Sequence, residues 1–287
     1  MPVATRNKPL YHAAKMPKGF PYLAAVHKQY AAEMYKRFRK IKSLIIESIV
    51  TNDCFRLSDK PSILKTLASA AAPFKFTDNP AKVEAFMEWL RGAQDDHILE
   101  VTERVGRKVV AHSEWQNVYV RQSYKKGVVW ADRKLREQGL DVPEEELRAI
   151  FNKPIHADAL GMLYTRNFTE LNGITEAMDQ QISRELIDGL AQGKNPREIA
   201  RLINNRVEHI GLTRARTLAR TEVNRTQNEA SLNRYTDYDV KKVELMVGPG
   251  PCPGGVCEAA SGVYKVEDAH GIAPIHPNCS CTFAPIV

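Results

Sequence analysis

No run of this sequence is apolar for long enough to cross a bilayer, which takes about 20 residues. The most apolar stretch, SLIIESIV at 43–50, is broken by Glu47, and the N-terminus, MPVATRNKPLYH, is polar where a signal peptide would be apolar. The chain is therefore expected in a cytoplasm, where thiols stay reduced. The phosphate loop G-x-x-x-x-G-K-S/T, the dinucleotide turn G-x-G-x-x-G and the nucleophile elbow G-x-S-x-G are all missing, which removes the chemistries that depend on them. There is no internal repeat and no low-complexity tract. Cysteine is almost absent before residue 252, Cys54 being alone there and reading as a buried bystander. Acidic residues are scarce at the N-terminal end: residues 1–50 hold ten Lys/Arg but only Glu33 and Glu47.

What is present follows from those gaps. At 287 residues, 43% hydrophobic and 26% charged, the chain has an ordinary globular balance. Its net charge of +7 comes from the N-terminal end, which carries +8 in residues 1–50 while the remainder sums to −1. Lys36, Arg37, Arg39, Lys40 and Lys42 are the densest part of that excess. They are candidate contacts to double-stranded DNA, bound through phosphates and without sequence preference, or to an acidic protein surface. A solvated helix face is the alternative reading.

Apolar spacing predicts a mainly helical chain. Tyr30, Met34, Phe38, Ile41, Ile45 and Ile49 recur at threes and fours, one face of a helix from about Leu23 to Val50. A loop with a short helix at PSILKTLASAA follows, and Asn79-Pro80 reads as a helix start leading to Val83, Phe86, Met87 and Leu90. A long helix is expected from about Asp95 to Gly139, with Trp115, Tyr119, Ser123, Gly127, Trp130 or Ala131, and Leu135 along one stripe. The small residues in its middle mark a place where another helix can come close. Ile174, Met178, Ile182, Leu186 and Leu190 define a further helix stopped by Gly193. Asn195-Pro196 opens the next, and Thr213 is expected to cap a third, RARTLARTEVNRTQNEASLNRY. On that third helix Glu222 falls within the stripe of Ala215, Leu218, Ala219, Thr226 and Ala230. A carboxylate there needs a cationic partner: Arg220, Arg225 or an arginine from another helix.

The last forty residues, Gly248 to Val287, hold six of the sixteen glycines, six of the sixteen prolines and four of the five cysteines. So small a segment with few apolar side chains needs a staple. Cys252 and Cys257 in CPGGVC, with His276, Cys279 and Cys281 in HPNCSC, have the ligand types of a structural zinc site. Five groups compete for four positions: four cysteines are one set, and three cysteines with His276 the other. His270 is a weaker candidate. The sequence has no H-E-x-x-H, and the tail that holds these cysteines has no H-x-E, which argues against a hydrolytic zinc. Strands are expected at KKVELMV and GVYKVED.

The succession GLAQGKNPREIARLI, ARTLARTEVNRTQNEASLNRY, CPGGVC and HPNCSC resembles the phage head morphogenesis family typified by the Mu F-like minor head proteins. Gly193, Ile199, Ala200, Ala219, Arg220, Thr221, Glu222, Cys252, Cys257, His276, Pro277, Cys279 and Cys281 carry the likeness, which covers about residues 160–287 and, more weakly, WQNVYVRQSYKKG upstream. It implies a non-enzymatic minor virion protein inside the head, in host cytoplasm during assembly, with the portal protein and capsid or scaffold proteins as partners and no membrane. Arg220, Thr221 and Glu222 would then be structural polar groups. A zinc-dependent nuclease or other DNA-modifying enzyme, and a cellular zinc-finger DNA-binding protein, are the rival functions. The expected architecture is mainly α, with a small irregular α+β C-terminal part stapled by zinc. Four segments are expected: a basic arm and helix at 1–78, a central helical region at 79–155, a head-morphogenesis helical domain at 156–245 and a Cys-rich tail at 246–287.

Overall fold

The computed structural model describes residues 21–57, 82–99, 102–105, 108–111, 117–248 and 252–287. Arg6, Lys8, Lys15 and Lys18, the short helix expected at 61–71, the Asn79-Pro80 start signal and Trp115 lie outside the described residues. The helices are α1 Pro21–Ile46, α2 Lys82–Gln94, α3 Val118–Glu137, α4 Leu147–Phe151, α5 Pro154–Ala191, α6 Pro196–Arg206, α7 Thr213–Asp237, α8 Val256–Ala260 and α9 Val266–Ala269. Strands β1 Thr102–Val105 and β2 Lys108–Ala111 pair antiparallel; β3 Lys242–Met246, β4 Gly262–Lys265 and β5 Thr282–Ile286 form an antiparallel sheet in the order β4-β3-β5. The fold is mainly helical with a small C-terminal sheet, as its periodicity predicts. No helix among the described residues is long and apolar enough to cross a membrane.

The chain divides into two compact units. The first comprises 1–31, 116–167 and 217–287; the second comprises 32–115 and 168–216. In the second, Met34, Phe38, Ile41 and Ile45 of α1 are buried, as is Ile49 just beyond it. Wider helical turns extend α1 through Glu47–Thr51 and α2 through Asp95–Leu99. Asn195 caps α6 by accepting from Glu198 N at 3.0 Å, with Pro196 at the first helical position, as read from the sequence. Gly211 has no room for a side chain, since a Cβ there would lie 2.3 Å from the Phe38 ring. Asp179, pushed up by burial, is met by Gln94 Nε2 at 2.6 Å and Arg91 at 3.4 Å. Cys54 is buried, and that burial pushes its thiol up to about 12, so it is an inert packing group.

Three expectations are corrected. The long helix from Asp95 to Gly139 is interrupted: Thr102 and Val105, with Val109 and Val110, are β-branched and fall in the paired strands β1 and β2, and α3 starts only at Val118, capped by Asn117 Oδ1 accepting from Tyr119 N at 2.8 Å. Thr213 is no cap, because the backbone stays helical through Val207–Leu212 and carries α6 into α7. The second expected strand, GVYKVED, stops at Lys265, after which Val266–Ala269 turn into α9.

In the first unit α3, α7 and the C-terminal sheet share one core. Val243 and Leu245 of β3 are buried, with Val243 opposite Tyr264 and Pro285, and Leu245 opposite Gly262 and Phe283. Strand β5 tolerates Pro285 because it is an edge strand. Gly127 lets α3 and α7 touch through their backbones, since a Cβ on it would sit 2.4 Å from Gln227 O and 2.6 Å from Ala230 Cβ. A second core, with Val120, Tyr124, Val128, Ile150, Leu163 and Ala230, joins α3, α4, α5 and α7.

Candidate metal centre

The sulfur cluster starts from an unusual turn. In Cys252-Pro253-Gly254-Gly255-Val256-Cys257 both glycines have left-handed backbones, φ 65° and 67°, a conformation that costs a side-chain-bearing residue about 1 kcal/mol or more. The turn folds the chain back so that Cys257 N donates to Cys252 Sγ at 3.1 Å. Cys281 N likewise donates to Cys279 Sγ at 3.5 Å. Cys257, Cys279 and Cys281 are buried within the core that packs on β3 and α7.

The donor atoms form two groups. Those of Cys252, Cys257 and His276 lie within 4.8 Å of one another, and so do those of Cys257, Cys279 and Cys281. Cys257 belongs to both. The Cys257 and Cys279 sulfurs are 3.8 Å apart, close to the edge of about 3.8 Å that a tetrahedron with metal–sulfur bonds of about 2.3 Å requires. His276 Nδ1 donates to Pro277 O at 2.8 Å in the tautomer that leaves Nε2 free to ligate. The cluster can thus hold a metal ion, and all five cysteine and histidine candidates are brought together. His270 is not among them: its Nδ1 lies 2.7 Å from Glu229 Oε2.

What the sequence did not announce is how α7 holds this segment. Asn224 Nδ2 donates to Cys279 O, Asn228 Nδ2 to Cys281 O at 2.9 Å and Tyr235 Oη to Phe283 O at 3.1 Å, while Thr221 Oγ1 accepts from Asn278 N at 3.1 Å. One helical turn of four residues rises about 6 Å and two residues of extended chain about 6.6 Å, so Asn224 and Asn228 match alternate carbonyls 279 and 281. Thr282 Oγ1 closes the pattern by donating to Asn228 Oδ1 at 2.8 Å. The cysteine-bearing segment that leads into β5 is docked on α7 by a polar ladder.

Glu222, buried at 2% exposure, is met by Arg166 of α5 and by Arg225, each at 3.4 Å. Of the partners considered from sequence, Arg225 and an arginine from another helix serve; Arg220 is exposed. Nearer the end of α7, Arg234 is fully buried between Asp132 at 2.6 Å and Asp237 at 2.9 Å. Asp237 also accepts from His156 Nε2 at 3.1 Å and Lys153 at 3.1 Å. Burial opposes its charge, but these hydrogen bonds prevail and hold the carboxyl below its usual range.

His27, beside α7, is held down to about 4, first by burial and then by the Arg220 charge. Its folded value lies below the unfolded one near 6.5, so its contribution is fully present above about pH 6.5 and is lost as pH falls through about 4. The whole shift corresponds to at most about 3 kcal/mol. Urea unfolding near pH 7 and near pH 4 should show a smaller acid-induced loss in His27→Gln than in the parent chain; equal losses would refute the assignment.

On α1, Lys36, Arg39 and Lys40 are exposed. Arg37 is not on that surface: it is buried, donating from Nε to Glu33 at 3.0 Å and from a terminal nitrogen to Ile98 O at 2.9 Å. Lys42 is engaged by Glu208 at 2.8 Å.

No curated protein and no solved structure matches the chain. Residues 180–284 match the family model described as Phage Mu protein F like protein. The span so identified contains α6, α7, strands β3 and β4, the start of β5 and the sulfur cluster, and over it this chain is similar to the phage head morphogenesis proteins.

Proposed function

We propose that the chain is a minor virion protein of a tailed phage, associated with the portal inside the head, that assists head assembly and genome packaging or delivery. The observation that carries this reading is the match of residues 180–284, the span that includes both α7 and the sulfur cluster. In this reading residues 1–78 supply the basic arm, 79–155 a central helical region, 156–245 the morphogenesis helices and 246–287 the stapled tail. Portal protein and capsid or scaffold proteins are its partners. The protein works by docking and not by catalysis. Burial of Glu222 between two arginines supports a structural part for that carboxylate.

Zinc is the metal proposed for the cluster, with Cys252, Cys257, Cys279 and Cys281 as ligands and His276 as the group able to replace Cys281. The all-sulfur and imidazole donor set suits it, and it supplies a redox-inert tetrahedral crosslink. Cys279 and Cys281 would be held in place by the α7 ladder, Cys252 by the glycine turn.

Two measurements test the reading. Co-purification with the portal protein from assembled heads is expected, and a chain found in neither heads nor portal complexes would sink it. Non-specific DNA contact is proposed through Lys36, Arg39 and Lys40. Reversing all three to glutamate should reduce the slope of log affinity for duplex DNA against log salt by about 2.7, at about 0.9 per lost phosphate contact. An unchanged slope would remove α1 from the DNA surface. Charge reversal is the sound test because deleting residues 1–50 would also remove the buried face of α1.

A further inference from the structure

We propose that a cleft between α3 and α4 binds a nucleotide unit, either a free nucleotide or one residue of a DNA strand. Its volume is about 430 Å³, within the roughly 300–1,000 Å³ of small-molecule sites. Three cations line it: Arg121 and Lys125 on successive turns of α3, and Arg148 from the last turn of α4. No carboxylate is in the lining. All three cations are exposed, and none is in an ion pair with a described residue. Arg121 and Lys125, four residues apart on one helix, repel each other. A concave surface that keeps three like charges without a counterion concentrates a multiply charged anion.

The remaining walls select what that anion carries. Phe151 and Leu147 give the cleft an aromatic and apolar side, and the Arg121 guanidinium stands 5.9 Å from the Phe151 ring centroid. Ring and guanidinium are both surfaces on which a base stacks, and the guanidinium edge pairs with phosphate oxygens in two-pronged fashion. Asn152 adds an amide that can meet a base edge. The floor is fixed from beneath. Phe151 packs edge-on against Tyr124 at 5.7 Å, and the Tyr124 hydroxyl is engaged by His156 Nδ1 at 2.8 Å and by Asn233 Nδ2 at 2.9 Å. A phosphate beside a stacked base satisfies both halves of this lining, whereas an acidic peptide would use only the cations. The cleft residues fall outside the span 180–284, so this inference stands independently of the head-assembly reading.

Fluorescence anisotropy of the full chain with labelled oligothymidylate, competed by dTTP or by polyglutamate, tests it. The Lys125→Glu/Arg148→Glu variant changes only exposed side chains. It is expected to weaken oligothymidylate binding at least about tenfold and to lower its salt slope by about 1.4, while Lys36→Glu/Arg39→Glu/Lys40→Glu leaves the dTTP-competable part in place. Phe151→Leu, which keeps the apolar wall, should lose severalfold affinity with no change in salt slope. Competition by dTTP assigns a free-nucleotide site, and strand binding without it assigns a strand site. Binding of neither probe, binding unaffected by the Lys125/Arg148 reversals, or preference for polyglutamate would overturn the proposal. Thermal melting verifies folding of each variant, and Arg121→Gln carries the same comparison if the double variant melts early.

Discussion

Cys257→Ser is expected to abolish binding of the proposed zinc and to unfold the C-terminal part of the first unit. Cys257 is the one thiol common to both donor groups, so its loss leaves neither group complete. Binding of a structural zinc contributes roughly 10–16 kcal/mol to folding, comparable with the roughly 5–15 kcal/mol by which a whole domain is stable. The ladder from α7 cannot replace it, because its hydrogen bonds contribute only about 1 kcal/mol each. Metal analysis of the purified protein should fall from one zinc per chain to none, with chelator treatment of the parent chain producing the same loss of tertiary signal. Stoichiometric zinc in Cys257→Ser would reject the assignment. Comparing Cys281→Ser with His276→Ala in the same assay names the fourth ligand: the variant that keeps its zinc is the one that does not bind it.

The second large effect is at Gly127. Alanine ordinarily stabilises a helix by about 1 kcal/mol relative to glycine, so a local view forecasts a gain. The structure reverses the sign, since the new Cβ would lie 2.4 Å from a backbone carbonyl of α7. Gly127→Ala should lose about 1–3 kcal/mol, and Gly127→Val more, by forcing α3 and α7 apart. The Ser231 Oγ to Gly127 O bond of 3.1 Å would then be stretched as well. Urea midpoints for the parent, alanine and valine chains are the measurement, and an alanine chain at least as stable as the parent would contradict the packing.

Much of this was legible because it is local. The burial of Phe38, Ile41 and Ile45, the Asn195 cap, the stop at Gly193 and the close approach at Gly127 each follow from side chains within a few turns of one another. The ligand types Cys and His were equally plain. The interruption at residues 102–111 was not, because the stripe that predicts the long helix begins only at Trp115 and carries no information on the residues before it. Strand β5 escaped notice for a related reason: TFAPI contains a proline, and only its edge position makes that proline acceptable.

The sequence by itself determined the helical class, the faces of α1 and α6, the set of candidate metal ligands and the family likeness of the C-terminal span. The tertiary structure alone decided that Cys257 is shared between two donor groups, that Arg166 reaches Glu222, and that the cations of α3 and α4 line one cleft. It also decided the fate of α7, whose Asn224, Gln227, Asn228, Asn233 and Arg234 are buried although they look like a solvated face. Periodicity records only the contrast between apolar and polar positions along the chain. Whether a polar side chain meets water or a carbonyl some 55 residues away, as Asn224 meets Cys279, depends on contacts that exist only once the strand has docked.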